Sequence, residues 1–239
     1  MIEIQGLTKS FGHIYALRGV DLQVAEGEFL TIVGPNGAGK TTFLRILATL
    51  LKPTRGFVRI NGLDLAPADV EVRRQIGFVS HQPLIYSNLT VAENLRFYGR
   101  IYDVPELEQR VEALLSLVGL DGRTHSLART LSRGMQQRLS VARSIIHEPS
   151  IMLLDEPYTG LDQQAARMLR GLLQTVSNKS HTVLMTTHNL EHALEPADRL
   201  VILSGGQIVF QAEAPTLSLA ELREAYWQHT EGGRSLGPS

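Results

Sequence analysis

Hydrophobic and polar positions alternate at the start of the chain. Ile2 and Ile4 stand between polar neighbours, and Val20, Leu22 and Val24 repeat the pattern in GVDLQV, so the chain opens on half-buried strands. Ala25 to Glu28 reads as a turn into the apolar run Phe29–Val33, the mark of a fully buried strand. Thr41 to Leu51 switches to helical spacing, with Phe43, Leu44, Leu47 and Leu51 on one side, and Lys52-Pro53-Thr54-Arg55-Gly56 stops it. Short strands are expected at Phe57–Ile60 and Ile76–Val79. From Thr90 to about Ile146 the pattern is helical, and Leu107, Val111, Leu114 and Val118 form one stripe ended by Gly119. Strands then return at Ile151–Leu154, Thr182–Thr186, Leu200–Leu203 and Gln207–Gln211. Helical stretches are expected at about Gln163–Ser177 and Leu190–Leu194. The order is β-rich, then α/β, then an all-helical insert, then α/β again. Residues 231–239 read as a flexible Gly/Ser/Pro tail.

Composition narrows the function classes. The 239 residues carry 23 Lys+Arg against 24 Asp+Glu and no cysteine. The balance gives no bulk attraction to nucleic acid or anionic lipid, so no nucleic-acid partner is expected. The missing thiols exclude disulfides, thiolate metal sites and Cys nucleophiles. No apolar run approaches the roughly 18–20 residues that span a bilayer. The start MIEIQGLTKSFG has neither a basic nor an apolar leader segment, so a cytoplasmic chain is expected.

Three places carry chemistry. Gly34-Pro35-Asn36-Gly37-Ala38-Gly39-Lys40-Thr41 satisfies G-x-x-x-x-G-K-[ST] between a buried strand and an amphipathic helix. Such a loop curls backbone N–H groups around phosphate oxygens, adds a charge at Lys40 and offers the Thr41 hydroxyl to Mg2+. Ile151 to Glu156 is a buried strand ending in two acids. At the C-terminal edge of a parallel sheet, Asp155 would join the Mg2+ shell and Glu156 would polarise an attacking water. Ser132 opens a long helix as its N-cap, and Gly134 in the first turn fits either a simple helix start or a close approach to a ligand. Taken as single residues, Gln82 reads as a solvated loop residue. His188 reads as a strand-end histidine or a γ-phosphate contact.

Together these residues resemble the ATP-binding cassette ATPases over about Ile2 to Phe210. The ordered motifs are the phosphate loop, the glutamine Gln82, the signature segment Leu131–Met135, the acidic pair Asp155 and Glu156, and the histidine His188, with Thr159-Gly160-Leu161-Asp162 similar to the family's D-loop. The resemblance implies an α/β fold: a P-loop NTPase core with an N-terminal antiparallel β subdomain and an inserted α-helical subdomain. The nucleotide-binding domain would cover residues 1–230, with the core at about 1–84 and 150–212 and the helical insert at about 85–149. It also implies ATP and Mg2+ as ligands. Gly34 to Thr42, which includes Thr42 itself, would hold phosphates, and Phe11 would stack on adenine. Thr41, Gln82 and Asp155 would serve the metal, and Lys40, Glu156 and His188 the hydrolysis. Ser132 and Gly134 would touch the nucleotide of a second subunit in a head-to-tail homodimer, with Asp162 coupling the two sites. Integral membrane subunits would complete a transporter at the cytoplasmic face of the cell membrane.

The signature departs from the usual Leu-Ser-Gly-Gly-Gln: Arg133 replaces the first glycine and Met135 the glutamine. The segments Ser80–Pro83, Leu89–Tyr98, Ser132–Leu139 and Leu154–Asp162 are similar to the ATPase subunit of the haem exporter of cytochrome c biogenesis. Drug, antibiotic and polysaccharide exporters share much of this vocabulary. Rival classes are a soluble non-transport cassette and a P-loop kinase. The kinase would explain the phosphate loop but neither Ser132-Arg133-Gly134 nor His188.

Overall fold

The computed structural model describes residues 1–65, 70–176 and 181–230. Two sheets share the chain. The first is antiparallel, in the order β2-β1-β4-β5, built from β1 (Ile2–Phe11), β2 (Ile14–Val24), β4 (Arg55–Ile60) and β5 (Leu63–Asp64). The second has six strands in the order β10-β9-β3-β8-β7-β6. Its strands β3 (Phe29–Val33), β6 (Ile76–Val79), β7 (Ile151–Asp155), β8 (Thr182–Thr187) and β9 (Arg199–Ser204) run parallel, and β10 (Gln207–Glu213) closes one edge antiparallel to β9. All residues of β3, β7 and β8 are buried, as continuous apolar runs in a doubly covered parallel sheet should be.

Strand alternation sorts the core into layers. Ile151 and Leu153 face the antiparallel sheet and α1 (Lys40–Leu47), together with Leu30, Ile32 and Phe43. Met152 and Leu154 face the opposite layer. There α3 (Val91–Ile101), α4 (Leu107–Leu117), α5 (Arg133–Ser144) and α6 (Gln163–Val176) supply Leu95, Leu114, Leu139 and Leu169. The segment between β6 and β7 is therefore the helical one. Thr90 and Glu93 form a reciprocal capping box that starts α3.

Several elements differ from the sequence expectation. α1 stops at Leu47 rather than Leu51, because Thr49 turns left-handed at φ 61° and Leu50 N–H folds back to the Arg45 carbonyl at 2.9 Å. β4 absorbs Arg55 and Gly56 from the expected stop. The stretch at Leu190–Leu194 is a single 3-10 turn over Leu190–His192. The short helix α2 (Val70–Arg74) and the helix α7 (Leu219–Thr230) were not anticipated. α7 rests on β9 through the buried Leu222, with Ala225 and Tyr226 partly buried beside it, a short stripe on an otherwise polar helix. The expected tail at 231–239 and the helix end at Ser177 lie outside the described residues.

Candidate functional site

β3 delivers the chain to its C-terminal end, and residues 34–39 turn it into α1. Gly37 and Gly39 both adopt left-handed backbone, at φ 79° and 108°. The loop walls a cleft of about 400 Å³. Asn36 to Thr42 line one side, with Ala16 beside them, and His81, Glu156, Thr159 and His188 line the other.

Lys40 is almost buried, with its ammonium donating to the carbonyls of Gly34 at 2.7 Å and Pro35 at 3.1 Å. It stands 3.6 Å from Glu156 Oε1. Burial pushes its pKa below the ordinary lysine value, and the carboxylates of Glu156 and Asp155 partly offset this. The ammonium is thus desolvated and positioned before any phosphate arrives.

Asp155 ends β7 and is 1% exposed. Its Oδ1 accepts from the Thr41 hydroxyl at 3.0 Å and from the Thr186 hydroxyl at 2.9 Å. Thr41 and Asp155 therefore place two oxygen ligands side by side. Among the described residues no three His, Cys, Asp or Glu side chains gather as a metal cage. An oxygen pair of this kind suits Mg2+, which is held by one or two protein oxygens, waters and substrate phosphates.

Glu156 follows in a left-handed conformation at φ 53°, a strained position for a non-glycine residue. Its N–H donates to the Thr186 carbonyl at 3.1 Å and reaches the Thr186 hydroxyl at 3.2 Å. The turn lifts the carboxylate out of the sheet into the cleft. Glu156 Oε2 accepts from the Thr159 hydroxyl at 3.3 Å and from His188 Nδ1 at 2.8 Å. An ionised carboxylate only accepts, so Nδ1 carries the proton in that contact. Lys40, Thr159 and His188 together fix Glu156 from three directions.

The structure thus gathers the phosphate loop, Asp155, Glu156 and His188 in one place. The other named residues lie apart. Phe11 is 52% exposed at the tip of the β1–β2 hairpin, with Lys9 Nζ 5.0 Å from its ring centre, and does not line the cleft. Gln82 is exposed, and its neighbour His81 takes the place on the cleft wall. Ser132 is exposed and caps α5, accepting from Met135 N–H at 3.3 Å. Asp162 starts α6 in the same way, accepting from Ala165 N–H at 2.7 Å. Gly134 has a packing reason of its own: a Cβ there would sit 2.8 Å from Ala165 Cβ, so α5 and α6 touch at this point.

Sequence reasoning missed Thr186, Thr159 and His81. Thr186 left one signal, a polar residue inside the apolar run VLMTT, and a fully buried threonine needs a partner. His81 gave no signal by spacing.

Comparisons with known proteins agree with this geometry. A family model described as ABC transporter matches residues 17–159. A relative named sulfate/thiosulfate import ATP-binding protein CysA, from Methylococcus capsulatus, is 40% identical over 214 residues, or 87% of this chain. The chain spans only 61% of that relative's length. The ABC transporter ATP-binding protein NatA of Bacillus subtilis is 33% identical, covering 88% of this chain and 87% of the relative. The Nod factor export ATP-binding protein I of Cupriavidus pinatubonensis is 34% identical over 89% of this chain and 66% of its own length. Among solved structures, the ATP-binding cassette MJ0796, dimeric in a post-hydrolysis state with ADP and Pi, aligns with a TM-score of 0.81 and 31% identity. That alignment covers 90% of this chain and 99% of that one. In sequence and in fold, the chain belongs to the ABC transporter family, with the mixed α/β P-loop fold of its ATPases.

Proposed function

We propose that the chain is the ATP-binding and ATP-hydrolysing subunit of a transporter, working as a homodimer at the cytoplasmic face of the membrane on separate membrane subunits. One observation carries the reading: Lys40, Thr41, Glu156 and His188 arrive from β3–α1, β7 and β8 at a single cleft, with Asp155 buried behind Thr41. Among the described residues no helix is long and apolar enough to cross a membrane, so the span would come from partners. The division into a core at 1–84 and 150–212 and a helical insert at 85–149 belongs to the same proposal.

The chain's own groups perform the steps. Loop N–H groups and the start of α1 receive the phosphates, and Lys40 leaves its loop carbonyls for the β/γ-oxygens. Thr41 and Asp155 would hold Mg2+, which neutralises charge on those oxygens when bound. Glu156 accepts a hydrogen bond from water and aims its oxygen at the γ-phosphorus. A water proton passes to Glu156 as the new P–O bond forms, the bond from the γ-phosphorus to the β–γ bridging oxygen breaks, and ADP leaves with its electron pair. His188 and Thr159 hold the carboxylate in line. Ser132 and Gly134 would complete the site from the second subunit. Phe11 would meet the base, and Gln82 would sense the γ-phosphate and metal.

For cargo, the exporter-like segments support haem export for cytochrome c biogenesis. The missing cysteines exclude thiolate ligation of haem iron by this chain, and haem itself is assigned to the partners. The 40% identity with a protein named for sulfate/thiosulfate import supports a second reading, anion uptake. Purification from native membranes decides between them. Haem-handling membrane proteins co-purify under the first reading, and an anion permease under the second.

Glu156→Gln tests the chemistry. ATP binding is expected to persist while turnover falls by at least about 100-fold, and an ATP-bound dimer accumulates on gel filtration. Hydrolysis at the wild-type rate would remove Glu156 from its role.

A further inference from the structure

We propose that Arg133, which stands where the family pattern has glycine, is a positioning residue for Glu156, acting through Gly160 and Thr159. The proposal rests on the reading of Glu156 as the hydrolytic carboxylate.

The contact is specific. Gly160 is left-handed at φ 73°, and a Cβ built there would collide with the Arg133 guanidinium. The collision is with Cζ, with Nε and Nη1 both at 2.7 Å. Near-equal approach of these atoms means that the guanidinium presents its face to the Gly160 backbone. The left-handed φ is what calls for glycine at 160, and without a Cβ there the guanidinium can lie flat over it.

The loop under that face leads directly to the carboxylate. Thr159 precedes Gly160, lines the cleft, and donates its hydroxyl to Glu156 Oε2 at 3.3 Å. Its N–H donates to the Glu156 carbonyl at 3.2 Å, and Leu161 N–H donates to the Tyr158 carbonyl at 3.2 Å. The stretch from Glu156 to Asp162 is therefore two consecutive tight turns. One end is tied to Thr186 through Glu156 N–H, and the other to α6 through the Asp162 cap. Arg133 lies over the middle.

Arg133 is also the first residue of α5, next to the cap Ser132, where α5 meets α6 at Gly134 and Ala165. A displacement at the start of α5 thus reaches Thr159 and Glu156 of the same subunit. A glycine at 133 would leave Gly160 uncovered and the line broken. The departure from the signature pattern becomes a link within one subunit.

Steady-state ATP hydrolysis by the full chain tests this with Arg133→Ala, Thr159→Val and the double variant. Arg133→Ala is expected to lower kcat by about 3–10-fold, with KM for ATP within about twofold. Being exposed, it should leave the melting temperature nearly unchanged. Thr159→Val should lower kcat similarly, and the double variant should be no slower than the slower single, because both cut one line. Three results would overturn the proposal: wild-type kcat in Arg133→Ala, losses that multiply in the double variant, or a raised KM at unchanged kcat. The last would mean that the guanidinium acts on nucleotide. Glu156→Gln run alongside separates the two ideas. If it hydrolyses ATP normally, the catalytic reading falls. If it is inactive while Arg133→Ala is normal, only the link falls.

Discussion

At the start of α1, Lys40 is 6% exposed and already contacts Gly34, Pro35 and Glu156. At the start of α5, Ser132 and Arg133 are exposed, and their contacts are a helix cap and a neighbouring loop. Both are helix N-termini with donors suited to phosphate. The first is enclosed by β7, β8 and its own loop, so the chain builds that half-site alone. The second presents its first turn outward and touches the cleft only indirectly, through Gly160 and Thr159. An enclosed N-terminus can bind by itself, whereas an outward one works when another surface covers it.

Perturbing each helix should expose that asymmetry. The largest effect is expected at α1. Lys40→Ala removes a charge-assisted contact and should weaken ATP binding by about 100-fold, measured by titration of the full chain. Folding should suffer little, since the buried ammonium is desolvated and costly to hold. Undiminished binding would mean that the loop N–H groups suffice.

A smaller and different effect is expected at α5. Ser132→Ala should leave ATP binding to the monomer unchanged but lower dimer-dependent turnover about tenfold. Loss of the cap should cost about 1 kcal/mol of stability. An affinity loss in the monomer would break the distinction between the two helices.

The smallest effect on turnover is expected beyond the far end of α5. His147 stacks on Tyr102 at 3.9 Å, and its Nε2 donates to the Ile76 carbonyl at 3.1 Å. Burial pushes its pKa down to about 4. The proton therefore prefers the unfolded chain, whose histidine titrates near 6.5. Stability is unaffected above that pH and falls as pH drops toward 4, by up to about 3 kcal/mol. His147→Phe should flatten that loss in urea unfolding between pH 7 and 4 and leave turnover at neutral pH intact. A changed neutral-pH rate would show that this end of α5 also reaches the site.

The hydrophobic pattern made most of the parallel sheet legible, because β3, β7 and β8 are buried throughout and carry no polar face. α7 escaped because its apolar stripe is short, Leu222 with the partly buried Ala225 and Tyr226, and only Leu222 is fully buried. α1 ended early because Thr49 adopts a left-handed turn that local composition does not announce. At the site, the phosphate loop was readable because its constraint is local: glycines, lysine and threonine act within eight residues. The setting of Glu156 was not, because it depends on Thr186 and His188, which lie 30 or more positions along the chain.

The sequence alone determined the alternation of strands and helices around the parallel sheet, the phosphate loop, the acidic strand end and the departure at Arg133, since each follows from side-chain chemistry at short spacing. Tertiary structure decided the rest. It brought Thr41 and Thr186 to one oxygen of Asp155, turned Glu156 between Lys40 and His188, and laid Arg133 on Gly160. Those pairings join residues 27 to 116 positions apart. Only the packing of β7 between β6 and β8, and of α5 against α6, sets such distances.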